Sequence, residues 1–250
     1  MDDSQRHPEV AARPRAKRVA RRWPLVSGIA AVLLAAALGA IVVARDGKLD
    51  FDTEWRSEVA EDRGPVLDIL SYAMNVLGGN FLAVFVIPTL IIVVLLTMKR
   101  PWAAAYYLAA TLVSSGLVQL LKKSFGRARP EDILVNTDFG SFPSGHVGNA
   151  ATMVVILAIL FPRVWVWVAG AAYLLLMMFS RTYLGAHWLS DTIGGALLGV
   201  GVATAVWAPF AAKLDGEREM AVQRHLAKHP AHPTPHPAPG ARPADGETPS

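Results

Sequence analysis

The chain has 250 residues, 53% of them apolar and 18% charged, with a formal net charge of +4. That length fits one folded unit, and long apolar runs separated by clustered charges exclude an ordinary soluble domain and indicate a bilayer. The absence of cysteine excludes disulfides and thiolate metal sites and leaves the redox compartment unread.

Residues 1–24 carry Arg6, Arg13, Arg15, Lys17, Arg18, Arg21 and Arg22 against Asp2, Asp3 and Glu9. They are expected to form a basic, mobile cytoplasmic tail, because a positive-inside topology signal explains them better than a nucleic-acid or anionic-lipid arm. The apolar run from Leu25 to Ala44 is longer than a signal-peptide core and is expected to be the first span. Residues 45–79 begin charged, and over 66–79 Asp68, Ser71 and Asn75 recur at helical spacing among apolar residues. This pattern predicts an interfacial amphipathic helix, more a cap on the bundle than the lining of a lipid-entry groove. Further spans are expected at 80–98, 102–121, 146–161, 164–180 and 192–211, six in all, leaving both termini on one side. Lys99, Arg100 and Arg163 mark short turns on the tail's side, and Trp102, Trp165, Trp188 and Trp207 fit aromatic belts near span ends. From 213 to 250 the chain turns polar and then rich in Pro, Ala and His, the composition of a disordered tail. His225, His229, His232 and His236 there match no closed metal-ligand set. The expected organisation is therefore a tail at 1–24, an all-helical six-span membrane domain at 25–212 and a disordered tail at 213–250.

Three polar stretches stand out from this apolar background, all at span ends on the side away from the basic tail. They are Lys122 with Arg129 and Pro130; Pro143, Ser144, Gly145 and His146; and Ser180 and Arg181 followed by His187 and Asp191. If the last helix begins at or just before His187, then His187 and Asp191 share a face, and the carboxylate can accept the Nδ1 proton, leaving Nε2 free to attack phosphorus. His146 opens a span directly after Ser144 and Gly145. A helix N-terminus there offers unpaired N–H groups to phosphate oxygens, Gly145 admits a close approach, and Ser144 can donate a hydroxyl or cap the helix. His146 can protonate a leaving oxygen and then deprotonate water. Lys122, Arg129 and Arg181 form a cationic clamp for charge developing on phosphoryl oxygens. Ser180 adds a donor or packs, while Lys123 and Arg127 read as residues snorkelling from a span end.

In this order the patterns K-x6-R-P, P-S-G-H and S-R-x5-H-x3-D resemble the signature of the type 2 phosphatidic acid phosphatase (PAP2) superfamily, with every signature position filled. The resemblance covers about 65–210. It implies a six-helix membrane enzyme that removes phosphate from lipid monoesters or pyrophosphates through a phosphohistidine, with no metal or other cofactor. By position it implies His187 as nucleophile, Asp191 as its orienting carboxylate and His146 as general acid and base. Lys122, Arg129, Ser144, Gly145 and Arg181 fall on its phosphate-binding positions. Glu131 and Asp132, the one nearby acidic pair, are thin for a magnesium site. The implied partners are a lipid phosphate and the bilayer, with no nucleic acid, and the implied place is the cell membrane, with an extracytoplasmic site and cytoplasmic termini. Candidate substrates are undecaprenyl pyrophosphate, phosphatidylglycerophosphate and phosphatidic acid. Loop 131–142 is expected to contribute to head-group choice. The competing reading is a catalytically inactive membrane protein that binds lipid phosphates. A transporter would show repeated halves or ionisable groups at mid-membrane, and the vanadium haloperoxidases of the superfamily resemble soluble proteins.

Overall fold

The computed structural model describes residues 9–228 apart from Lys48 and Asn80, with backbone alone over 9–21 and at His225 and Lys228. Its elements are α1 (Glu9–Ala44), α2 (Asp50–Glu61), α3 (Pro65–Leu77), a π-helical turn (Leu82–Val86) that runs into α4 (Ile87–Thr97), α5 (Pro101–Phe125), α6 (Gly145–Leu160), α7 (Val164–Tyr183) and α8 (Leu189–Lys228). Among the described residues there is no strand. Proline opens α3 and α5, where its missing N–H has no helical partner to lose, whereas Pro88 of α4 follows directly on the π-helical turn, inside continuous helix. Gly126, at φ 54°, ends α5 in the left-handed conformation that suits a helix C-terminus.

Among the described residues four helices are long and apolar enough to cross a bilayer: α1 over Arg22–Ala44, α5, α7 and α8 over Leu189–Arg224. A fifth crossing is available if α3 and the segment Leu82–Thr97, bent by 48°, make one broken span. The expected count of six is not reproduced. The region set at 80–98 is interrupted by its π-helical turn and pairs with α3, and α6 is an apolar helix of only 16 residues. Pro162 stands two positions past its end, where a helix cannot continue.

α8 is the central element, packed against α1, α5 and α6. Glycines let the backbones meet. A Cβ on Gly28 of α1 would fall 2.6 Å from the Gly201 carbonyl oxygen, and one on Gly201 would fall 2.7 Å from that of Gly28. Close packing of this kind holds helices together where lipid removes the hydrophobic drive between them. Tyr106 and Tyr107 of α5, Ile156 of α6 and Ala203 of α8 share the core at the end away from the polar motifs.

Both expected tails need revision within the described residues. α1 begins at Glu9, inside the basic segment, and residues 1–8 lie outside the described residues. α8 continues to Lys228 through residues assigned to the disordered tail. It does so because Leu214 and Glu217 are buried against α5. Glu217 accepts hydrogen bonds from the backbone N–H groups of Trp102 (2.5 Å) and Ala103 (3.1 Å), so an acidic side chain satisfies unpaired donors at a helix N-terminus. The tail histidines His229, His232 and His236 lie outside the described residues.

α3 differs from the interfacial helix expected. Its polar stripe faces protein and its apolar face looks outward. Tyr183 of α7 donates to Asp68 (2.6 Å) and Ser180 donates to the Ser71 carbonyl (3.0 Å), while Val66, Ile69 and Val76 are exposed. That is the arrangement of a helix whose surroundings are apolar.

Candidate active site

Each polar motif ends or begins a helix, and the antiparallel packing of α5 to α8 brings those ends together. Lys122 lies in the last turn of α5, His146 in the first turn of α6, Arg181 in the last turn of α7 and Asp191 in the first turn of α8. One cavity of about 390 Å³ is lined by Lys122, Arg129, Gly145, His146, Arg181 and His187, with Asn75 of α3 and Asn136, Thr137 and Asp138 of the loop before α6. The cavity thus joins side chains from all three motifs.

The turn between α7 and α8 sets His187. Gly185 adopts φ 66°, and a Cβ there would fall 2.5 Å from the Asp132 carbonyl oxygen, so glycine serves both the left-handed turn and the close approach of loop 131–142. The backbone N–H groups of Ala186 and His187 both reach the Arg181 carbonyl, at 3.1 and 3.2 Å. α8 starts only at Leu189, so His187 precedes the helix instead of sharing a face with Asp191, a correction to the expectation from spacing. The two groups still meet. Nδ1 of His187 lies 3.5 Å from Oδ2 of Asp191, longer than a good hydrogen bond. The Asp191 carboxylate reaches back to accept from the Trp188 N–H (2.8 Å), the half of a capping box that its third residue supplies, while its own N–H donates to the Trp188 carbonyl (3.1 Å) in a backbone turn.

Ser144 stands at the N-cap of α6 but does not cap it. Its hydroxyl is buried without a partner, and its N–H donates to the Asp191 carbonyl (2.9 Å), tying the starts of α6 and α8 together. Ser180, bonded to α3, plays a packing role.

Lys122, Arg129 and Arg181 all line this cavity, and two of them already hold an anion. Lys122 Nζ lies 2.8 and 3.1 Å from the Asp138 carboxylate oxygens, and Arg129 Nη2 lies 2.7 Å from Oδ1. Arg129 also bonds the Ala186 carbonyl and approaches Nε2 of His187 at 3.4 Å. Arg181 donates to the Asn75 side chain, and its Nε is left without a partner. His146 Nε2, His187 Nδ1, Ser144 Oγ and Arg181 Nε are all buried and unpaired. Buried polar atoms are rarely left so, and the cluster of them is suited to a ligand rich in oxygen. Burial, and then the charges of Arg181, Arg129 and Lys122, hold His187 well below the ordinary imidazole value, with Asp138 opposing. Burial alone would raise the Asp138 carboxyl, but the Lys122 hydrogen bond and the charges of Lys122 and Arg129 outweigh it and hold the group below the ordinary carboxylate value.

Two residues at this end escaped the sequence reading. Lys123 is exposed, as a snorkelling residue should be, whereas Arg127 is buried and donates from Nη1 to Asp191 Oδ1 at 2.6 Å. Its Nη2 meets Asp52 of α2 at 2.7 Å. The position of Arg127 between Lys122 and Arg129 was the sole available signal, and nothing local marks Asp52. The acidic pair is divided: Asp132 is engaged by Arg56 and Arg63, while Glu131 is exposed. Among the described residues no group of three or more His, Asp or Glu is arranged to hold a metal ion.

The sequence profile of the PAP2 superfamily matches residues 103–214. Lipid A 1-phosphatase of Rhizobium etli is 35% identical over 109 residues, which are 39% of this chain and 46% of that protein. Undecaprenyl-diphosphatase of Sulfolobus acidocaldarius is 43% identical over 63 residues, 25% of this chain and 30% of that protein. The match thus spans less than half the length of either relative. The crystal structure of a transmembrane PAP2-type phosphatidylglycerolphosphate phosphatase from Bacillus subtilis superposes with a TM-score of 0.63 at 22% identity, covering 78% of this chain and 96% of that one. It shares the fold.

Proposed function

From the premise that residues 103–214 form a PAP2 superfamily domain, we propose that this protein is an integral-membrane phosphatase of lipid phosphate monoesters or pyrophosphates, working through a covalent phosphohistidine on the extracytoplasmic face. The observation that carries this reading is the single cavity shared by two histidines and three cations. Nε2 of His187 attacks phosphorus, and the P–O bond to the leaving group breaks. His146 gives its proton to the departing oxygen. Asp191 holds the Nδ1 proton and offsets the positive charge that the imidazole acquires. Lys122, Arg129 and Arg181 meet the charge spreading over the equatorial oxygens, helped by the N–H groups at the start of α6 and by Ser144. Water then attacks the phosphohistidine, giving its proton to His146, and inorganic phosphate leaves with Nε2 freed. No metal enters this scheme. The cationic clamp supplies the stabilisation of charge that a metal would otherwise bring.

Substrate choice is open among lipids sharing a phosphate: undecaprenyl pyrophosphate, phosphatidylglycerophosphate, phosphatidic acid and, from the first relative's name, lipid A. Phosphate release by the purified protein in detergent with EDTA, compared across these lipids, tests the reading. Release from at least one is expected. A folded protein that binds these lipids and releases nothing would instead support the inactive binding protein.

A further inference from the structure

On the Nδ1 side of His187, three charged side chains form a buried cluster. Arg127, on the loop after α5, sends Nη1 to Asp191 Oδ1 (2.6 Å) and to the Ser190 hydroxyl (2.6 Å), and Nη2 to Asp52 Oδ2 (2.7 Å). Its Nη2 and Nε also reach the Gly47 carbonyl, at 2.8 and 3.2 Å. Asp52 in turn accepts from the Ser190 N–H (2.8 Å) and hydroxyl (2.6 Å). The side chains of Arg127, Asp52 and Asp191 are each at most 1% exposed. Asp52 belongs to α2 and lies outside the residues matched to the superfamily.

We propose that Arg127 and Asp52 are positioning residues for His187, joined so that the guanidinium fork fixes the plane and the charge of Asp191. The terminal torsion of an aspartate is broad, and one anchor would leave the carboxylate free to turn. Here Oδ1 is held by Arg127 and Oδ2 by the Trp188 N–H, which leaves Oδ2 turned toward Nδ1 of His187. Asp52, Ser190 and the Gly47 carbonyl hold the guanidinium in its turn. A planar fork can bridge two carboxylates, and an ammonium cannot do so with the same geometry. Two carboxylates against one guanidinium leave one negative charge beside the imidazole, which suits a ring that becomes positive on phosphorylation. The other charged or titratable groups around His187 are Arg129, Lys122, Arg181, His146 and Asp138, all on the cavity side.

The inference rests on the reading of His187 as nucleophile, and its test separates the two. Full-length wild type, Asp52→Asn, Arg127→Gln, Arg127→Lys and His187→Ala are purified in detergent. For each, lipid phosphate turnover is followed from pH 4.5 to 8.5, with vanadate inhibition as the measure of an intact clamp. The expected result is a fall in kcat of about 10- to 100-fold for Arg127→Gln and Asp52→Asn, the range seen for partners that orient a working histidine, with vanadate affinity within about twofold of wild type. The acid limb of kcat/KM should move in opposite directions. Losing the Arg127 charge raises it and losing the Asp52 charge lowers it, each by about 0.5 unit or more. Titration of the substrate is common to every variant and cancels. Arg127→Lys should keep the wild-type limb while losing kcat. Should Arg127→Gln fail to fold, the isosteric Asp52→Asn decides alone. Wild-type kcat and an unmoved acid limb in folded Asp52→Asn would overturn the inference, as would a fall in kcat with no shift. Retained activity in His187→Ala would overturn the underlying reading instead.

Discussion

Two charged clusters flank His187, and they differ in how much water reaches them. In front, Lys122 and Arg129 share the Asp138 carboxylate, whose side chain is 51% exposed on a loop. Behind, Arg127 joins Asp52 and Asp191 with scarcely any exposure. The front cations are themselves buried, Lys122 at 3% and Arg129 at 9% exposed, so in that cluster only the anion faces water. Removing one partner of a fully buried pair costs about 3–5 kcal/mol, and the rear network has no solvated member to give up; on the proposed function the front cations exchange the solvated Asp138 carboxylate for a phosphate, one anion replacing another. Similar charges serve as a replaceable contact on one side and as a fixed mount on the other.

The most severe way to break this comparison is to remove the residue between the clusters. His187→Ala should lower turnover by at least about 10³-fold, while the folded protein still binds vanadate through the front cations. Loss of vanadate binding together with turnover would mean that the two clusters do not act separately. A smaller effect concerns pH. Because His187 is held well below the ordinary imidazole value, the neutral ring that the proposed attack requires is the form present at pH 7, and kcat/KM should not begin to fall until below about pH 6.5. The decline should come as the pH drops through the depressed value and the ring takes a proton. An acid limb above pH 7, measured with a substrate whose phosphate does not titrate there, would contradict the cationic surroundings described. The mildest change sharpens the contrast. Asp138→Asn removes the resident anion and should tighten vanadate or lower KM by at least about 1.5-fold, because a half-solvated carboxylate no longer competes for two buried cations. Weaker vanadate binding would show that Asp138 assists phosphate instead of competing with it.

How far these features could be read in the sequence follows their range along the chain. The clamp cations and both histidines are named by short motifs, and helix ends bring them together, so Lys122, Arg129, His146, Arg181 and His187 were all legible. The relation of His187 to Asp191 was legible as proximity but not as geometry, because the start of α8 at Leu189 goes with the Asp191 carboxylate reaching back to the Trp188 N–H. Asp52 was illegible: its partners Arg127 and Ser190 are distant in sequence, and an acidic residue in a charged stretch looks solvated until α2 folds over the motifs. Asp138 was passed over for a similar reason, as one polar residue of a loop with no readable code. The end of α8 was misjudged because 213–228 is polar in composition, and composition does not report that Glu217 faces unpaired N–H groups on another helix. The count of six spans is not confirmed, because α6 is short for a crossing and the segment before α4 is bent.

That buried Glu217 has a consequence at the other end of the molecule. α5 and α8 run antiparallel, and each carries a residue of the proposed site, Lys122 or Asp191, toward one end and half of the Glu217 contact toward the other. From Trp102 to Lys122 a straight helix rises about 30 Å, at about 1.5 Å per residue. α5 has no proline between these residues, while α8 carries Pro209 between Asp191 and Glu217, so the pin limits the sliding of α5 chiefly through α5's own stiffness. The clasp therefore acts as a ruler, setting the depth at which Lys122 stands relative to Asp191, and a slip of one residue there would move the ammonium by about 1.5 Å. Misplacements of about 1 Å are enough to cost on the order of 10²-fold in rate, so spacing within the cavity is partly written on the opposite face of the bundle.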